Sequence, residues 1–346
     1  MQTLYSMNEE QRIGQLFMVG LTNDSLTTAY RDAIGAYHFG SFYFARHTDA
    51  GVSALRAVSN AIQAQATRSA TMGVPFFVGA NQEGGLVQAL QGPGFDTIPS
   101  ALDQGTLSVS RLRALATRWG QQLRAAGVNV DLAPVADVVP PGTDGSNAPI
   151  GALDREYSND PAIAGSHVTA FIQGMEAAGV ATALKHFPGL GRVAGNTDYV
   201  GGVVDRVTTL HDPYLQPFEA GIRAGAPFAM VSLATYTRID PGHLAAFSDT
   251  VINGMLRGDL GFRGIVMSDS LTAVAVERLT PAQKALSFLD AGGDMIVLNG
   301  LPQAEQMADA IASYAAQHDW FAKRVDNAAW HVLRGKEAAG LLTCGG

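Results

Sequence analysis

Apolar positions along the chain fall into short runs, and between the runs they recur every three or four residues. The runs are RIGQLFMVGL (12–21), FGSFYFA (39–45), PFFVGANQ (75–82) and VNVDLAPVADV (128–138), followed by VATALKHF (180–187), FAMVSLATY (228–236), FRGIVMSDS (262–270) and DMIVLNG (294–300). Most are continuous in Val, Ile, Leu, Phe and Ala rather than alternating, as expected of parallel strands buried on both faces. The segments between them read as amphipathic helices. In 108–126, Val109, Leu112, Leu115, Trp119 and Leu123 form one apolar stripe. In 158–179, Ser158, Asn159 or Asp160 offers an N-cap, Pro161 sits in the first turn and Gly179 supplies a stop. Thr280 before Pro281 repeats that start, and glycines at 292–293 close the helix.

Alternating strand and helix units of this number predict an α/β fold, a (β/α)₈ TIM-type barrel in a single domain covering 1–346, with its core at about 10–340. An open doubly wound sheet is the alternative, because strand order is not written in one sequence. The stretch VPPGTDGSNAP (139–149) reads as a long loop at the catalytic face rather than a linker. In the C-terminal segment, Trp320 and Trp330 are expected in the core of one or two helices packed on the barrel.

Composition narrows the function. Hydrophobic residues make up 47% of the chain, enough for a large core, and a formal charge of -8 argues against nucleic acid as a partner. It suits a small, uncharged substrate. The one cysteine, Cys344, leaves no disulfide framework and no cysteine zinc site. No apolar run approaches ~20 residues, so no membrane span is expected. The start, MQTLYSMNEEQRIG, lacks a basic region followed by an apolar stretch. The chain as it stands is expected in the cytoplasm, or secreted or lipid-anchored if a signal once preceded it. Nothing in the pattern sets an oligomeric state.

Polar residues gather where the predicted strands end: Asn81-Gln82-Glu83, Asp131, Asp137, Lys185-His186, Ser268-Asp269 and Asn299. In a parallel barrel all these ends open on one face, where active sites lie. The stretch KHFPGLGRVAGNTDYV (185–200) joins a cation and an imidazole on a strand end to a carboxylate, Asp198, on a glycine-rich loop. Gly189, Gly191 and Gly195 are spaced one residue too long for a dinucleotide fingerprint, and no phosphate-binding G-x-x-x-x-G-K-[ST] loop occurs. The eight histidines show no metal-binding spacing, so neither cofactor nor metal is expected. Sugar chemistry fits better, with Lys185 and His186 hydrogen bonding hydroxyls and carboxylates supplying nucleophile and acid.

With these residues the chain resembles glycoside hydrolase family 3, in particular its single-domain β-N-acetylhexosaminidases. KHFPGLG is similar to the family's K-H-F-P-G-H-G, VNVDLAPVADV to N-x-D-x-A-P-V-x-D-V, and REYSNDP to R-S-F-x-x-D-P. LRGDLGFRGIVMSDSL is similar to the family's segment around its nucleophile, and the matches run in family order from about residue 10 to residue 300. The resemblance implies a TIM-like barrel and a retaining, exo-acting β-glycosidase acting on a small carbohydrate such as a terminal GlcNAc-type sugar. By the same resemblance Asp269 is the nucleophile of a covalent glycosyl–enzyme, Arg155, Lys185 and His186 bind sugar hydroxyls, and Asp131 supports the site.

Three departures from the family pattern stand out. Its hexosaminidases carry Asp-Ser-His on the loop after K-H-F-P-G-H-G, with the histidine as acid/base; an ungapped count places Asn196-Thr197-Asp198 there. Asp198 is then the candidate acid/base, with Asn196 expected to orient it. Asn81 fills the place of the sugar-binding aspartate of D-x-E-G-G, and Leu86 and Ala89 stand where arginines are usual. Two other outcomes remain open from sequence: a sugar-binding paralogue with little or no turnover, or a phosphorylase or transglycosidase using activated glycosides.

Overall fold

The computed structural model describes residues 2–22 and 24–342; Cys344 lies outside them. Eight strands, all parallel to their neighbours and in chain order, form the barrel: β1 Phe17–Leu21, β2 Ser41–Phe44, β3 Phe77–Ala80, β4 Val130–Asp131, β5 Ala181–Phe187, β6 Phe228–Val231, β7 Ile265–Ser268 and β8 Ile296–Asn299. β8 pairs with β1 in register from Phe17↔Ile296 to Gly20↔Asn299. Between β7 and β8 the ring closes through single bonds rather than a ladder. Ser268 N–H donates to Met295 O at 3.0 Å, Leu271 N–H to Val297 O at 2.9 Å, and Val297 N–H to Ser268 Oγ at 3.0 Å. This is the (β/α)₈ architecture, and the open sheet is set aside.

Each strand turns alternate residues inward, so the barrel is filled by side chains. Met18, Phe77, Phe228, Ile265, Met267 and Met295 make up much of this inner core. The Phe77 and Phe228 rings meet edge to face at 5.1 Å. The opposite strand faces pack under the surrounding helices in a second, larger cluster.

Helices begin where their caps dictate. Of the three cap candidates before Pro161, Asp160 serves, accepting from the N–H groups of Ala162 and Ile163 at 2.8 and 3.2 Å. The helix runs Pro161–Ala177, and Gly179 follows with φ +74°. Ser108 caps Val109–Ala125, whose buried stripe is Leu112, Ala116, Trp119 and Leu123, while Val109 in the first turn is exposed. Thr280 and Gln283 close a reciprocal capping box on Pro281–Asp290.

Three expectations need correction. The run 12–21 is not one strand: Glu9–Gln15 is a helix capped by Asn8, and only Phe17–Leu21 is β1. The run 128–138 contributes just two residues of ladder, because Pro134 has no N–H to continue it. Trp320 is 51% exposed, its edge against Phe321 and Tyr314, and Trp330 is half-buried.

The last helix, Asp319–Ala338, seals the barrel end opposite the strand C-termini. Val332 joins the inner core, and the backbone at Gly335 lies against Ile265 and Phe77. Lys336 is fully buried there, donating to Gln15 Oε1 at 2.7 Å and Gly40 O at 2.8 Å, its ammonium 5.6 Å from the Phe77 ring centre. Burial without a facing carboxylate pushes its pKa down to about 7. The unfolded chain therefore holds one more proton than the folded protein between pH 7 and the ordinary lysine pKa of 10.5. Stability gains up to about 1.4 kcal/mol per pH unit across that window from this group. In Lys336→Met, urea melts at pH 7, 8 and 9 are expected to lack this increment relative to wild type; identical slopes would contradict the assignment.

Candidate active site

The strand C-termini and the loops after them enclose a cleft of about 640 Å³. Leu132, Met230 and Val297, the upper layer of the barrel core, form its floor. Asn81, Arg155, Lys185, His186, Asn196, Asp198 and Asp269 all line it. Residues as far apart in the chain as 81 and 269 thus meet in one hollow. Asp131 does not line it but lies buried beneath.

The cations of the cleft are organised by Glu83, a residue among the polar strand ends to which the sequence assigned no role. Arg155 grips it with two bonds, Nε to Oε2 and Nη2 to Oε1, both 2.8 Å. Lys185 Nζ lies 2.5 Å from the same Oε1. Burial alone would raise the Glu83 pKa, but the charges of Arg155 and Lys185 and their hydrogen bonds outweigh it and hold it at about 2. The signal available in sequence was indirect: two cations in one buried pocket require a counter-charge.

Lys185 also donates to Asn81 Oδ1 at 2.8 Å. Since an ammonium only donates, the amide oxygen must face it, and the Asn81 NH₂ is left for the cleft. At this spot the cleft offers a donor, whereas a carboxylate would offer an acceptor. Below, Asp131 Oδ1 accepts the Gln82 N–H at 3.0 Å, while Oδ2 has no partner among the described residues. Burial pushes its pKa up to about 7, against the pull of the Gln82 hydrogen bond and the Lys185 charge.

His186 is held by Asp137, another residue sequence reading left without a role. Asp137 Oδ2 lies 2.7 Å from Nδ1, and its carboxylate also accepts the N–H groups of His186 and Leu190. A carboxylate accepts only, so Nδ1 carries a hydrogen, and Nε2 lies 3.4 Å from Arg155 Nη2.

Two carboxylates also line the cleft. Asp269 follows β7 directly; its N–H donates to Val231 O at 2.9 Å and its Oδ1 accepts the Ser270 N–H at 2.8 Å. Asp198 comes in from the loop after β5. Crowding by the cleft walls raises its pKa first, and the negative charge of Asp269 adds to this, while His186, Arg155 and Lys185 pull the other way. Asn196 does not orient the Asp198 carboxylate: its Oδ1 accepts the Asp198 backbone N–H at 2.9 Å and so shapes the turn. The carbonyls of Thr197 and Asp198 accept from Ala275 and Val274 at 3.0 and 3.4 Å, tying this loop to the segment that follows Asp269.

Tyr43 on β2 and Asn299 at the end of β8 complete the rim. Tyr43 O–H donates to Asn299 Oδ1 at 2.6 Å. Its pKa is raised, first by burial and then by the charges of Asp269 and Asp198. Nothing in the run FGSFYFA distinguished Tyr43 from its core neighbours. Among the described residues no group of three or more His, Cys, Asp or Glu is placed to hold a metal ion, and no helix is long and apolar enough to cross a membrane.

Known proteins resemble this chain in sequence and in fold. The model of the glycosyl hydrolase family 3 N-terminal domain matches residues 9–334. A β-hexosaminidase of Stenotrophomonas maltophilia is 32% identical over 294 residues, 82% of this chain and 83% of that protein. One from Xylella fastidiosa is 35% identical over 253 residues, 70% of this chain and 72% of its own length. The crystal structure of a β-N-acetylhexosaminidase from Beutenbergia cavernae superposes with a TM-score of 0.94 at 47% identity, covering 96% of this chain and 99% of that one. A barrel whose strand ends hold two carboxylates and anchored cations in one cleft, together with these likenesses, defines a glycoside hydrolase. The chain belongs to glycoside hydrolase family 3.

Proposed function

We propose that the protein is a retaining, exo-acting β-N-acetylhexosaminidase that removes terminal GlcNAc-type sugars. The observation that carries this reading is the cleft itself: Asp269 and Asp198 line the same sugar-sized hollow as Asn81, Lys185 and Arg155. The names of the similar hexosaminidases support the choice of sugar. In this reading the Asp269 carboxylate attacks the anomeric carbon as the bond to the leaving oxygen breaks, and Asp198 gives its proton to that oxygen. Asp269 has then become a neutral ester. The repulsion that helped raise the Asp198 pKa disappears, so the now ionised Asp198 is suited to take a proton from water in the second step. That water releases the sugar with its β configuration retained. The Lys185–Asn81 and Arg155–Glu83 contacts hold the donors in place before substrate arrives, so that little ordering remains for binding.

Incubation with a 5-fluoro glycosyl fluoride of GlcNAc tests the proposal. Intact mass is expected to rise by one fluorinated sugar, and peptide mapping to place the ester on Asp269. Turnover with no adduct, or an adduct on another carboxylate, argues against Asp269 as the nucleophile; sugar binding with neither adduct nor turnover favours a binding-only paralogue.

A further inference from the structure

The residue after Asp198 has a property the catalytic cycle does not use. Tyr199 lines the same cleft, yet it is 76% exposed, the highest value among the exposed large hydrophobic side chains of the described residues. An aromatic ring is a large apolar surface, and leaving it in water forgoes the gain of burying it. The ring is nonetheless carried on a well-tied turn. Tyr199 N–H donates to Asn196 O at 3.0 Å, and the Thr197 and Asp198 carbonyls are bonded to the backbone at 274–275.

Its position follows from that of its neighbour. An acid that protonates the glycosidic oxygen must lie within hydrogen-bond reach of it. The next residue on the same rim then flanks what lies beyond that oxygen, the leaving group, and not the sugar held by Lys185 and Asn81. Charge at this lip selects among leaving groups. Of the lining residues outside the strands, the charged ones are Arg155, Asp198 and Asp269, and the Arg155 guanidinium is taken up by Glu83 and Pro149 O. Val87, Ala148 and Pro149 add only apolar surface. No uncommitted cation among the described lining residues awaits an acidic leaving group.

The geometry points to Tyr199 as the platform of a leaving-group subsite that takes a second pyranose ring, an inference that rests on Asp198 being the acid. The C–H face of a pyranose is apolar and slightly positive, which suits the negative face of a tyrosine ring, and the phenol can bond the hydroxyls at the sugar's edge. The preferred substrates of this chain are accordingly β-linked disaccharides and longer sugars with a neutral second ring.

Binding tests this without turnover. In an Asp269→Asn background, calorimetry would compare GlcNAc with N,N′-diacetylchitobiose for Tyr199, Tyr199→Phe and Tyr199→Ala. The disaccharide is expected to bind roughly tenfold tighter than the monosaccharide. Tyr199→Ala should erase that difference while leaving GlcNAc within about twofold, and Tyr199→Phe should keep it. Disaccharide affinity unmoved by Tyr199→Ala overturns the subsite. In the active protein, Tyr199→Ala should raise KM for the disaccharide about tenfold and leave hydrolysis of GlcNAc fluoride, which has no second ring, within about twofold. Equal losses on both substrates would assign Tyr199 to the placement of Asp198 and end the platform reading. Failure of the catalytic reading looks different: neither substrate is turned over, and the binding comparison still decides on Tyr199. If neither sugar binds at all, both readings fall together.

Discussion

Asp269→Ala is expected to remove hydrolysis of an aryl β-N-acetylglucosaminide, with kcat/KM falling on the order of 10⁴-fold or more, about 5 kcal/mol of transition-state stabilisation. The size of the effect follows from what the residue does in the proposed cycle. Without it no covalent intermediate forms, and a water molecule does not fill its place with the same geometry, because Asp269 is fixed on both sides. Its backbone extends the β6–β7 ladder through Val231, and one carboxylate oxygen is turned by the Ser270 N–H. Substrate affinity should change far less, since Lys185, Arg155 and Asn81 are held in the cleft by contacts that do not involve Asp269. A KM within a few-fold of wild type alongside the collapse in kcat would separate lost chemistry from lost folding. Near wild-type activity in this variant would falsify the proposed role.

Asp198→Ala should divide substrates by their leaving groups. A general acid contributes about 10²–10⁴-fold where the leaving oxygen is a poor one. A disaccharide should therefore lose activity by a factor in that range. An activated aryl glycoside, which departs without a proton, should lose less than about tenfold in its first step. Added azide is expected to accelerate turnover of the activated substrate and give the β-glycosyl azide, because azide needs no base to attack the ester on Asp269. Equal losses on both substrate types, or no rescue, would remove Asp198 from the role. The pH profile gives an independent reading. Asp198 must be protonated in the first step, so the alkaline limb of kcat/KM reports its raised pKa; that limb should be missing in Asp198→Ala.

Much of the barrel was readable because parallel strands buried on both faces need continuous apolar runs, and these stand out between amphipathic helices. The readings that failed were local. RIGQLF looked like the start of a strand because its helix is short, and one face of it, with Gln11 and Gln15, is buried though polar. The run around Asp131 looked long, but a proline at 134 interrupts the ladder whatever the hydrophobicity of its neighbours. In the site, Lys185, His186 and Asp269 could be picked out because they end strands. Their partners could not be assigned. Glu83 meets Arg155 across 72 positions and Asp137 meets His186 across 49, pairings set by which strands are adjacent. Asn196 was misjudged for another reason: a short amide next to a turn bonds the local backbone more readily than a neighbouring side chain.

The C-terminal helix that stops the lower end of the barrel also brings the two ends of the described chain to one pole. Leu4 and Tyr5 lie beside Lys323 and Asp326, and Arg12 pairs with Asp326 at 3.0 Å. The first helix, Gln2–Ser6, is thereby packed on the last one, away from the mouth where sugars enter. Immobilised on a bead through the exposed Lys323 at this pole, the enzyme should present its open cleft outward and keep access to bulky, polymer-borne glycans.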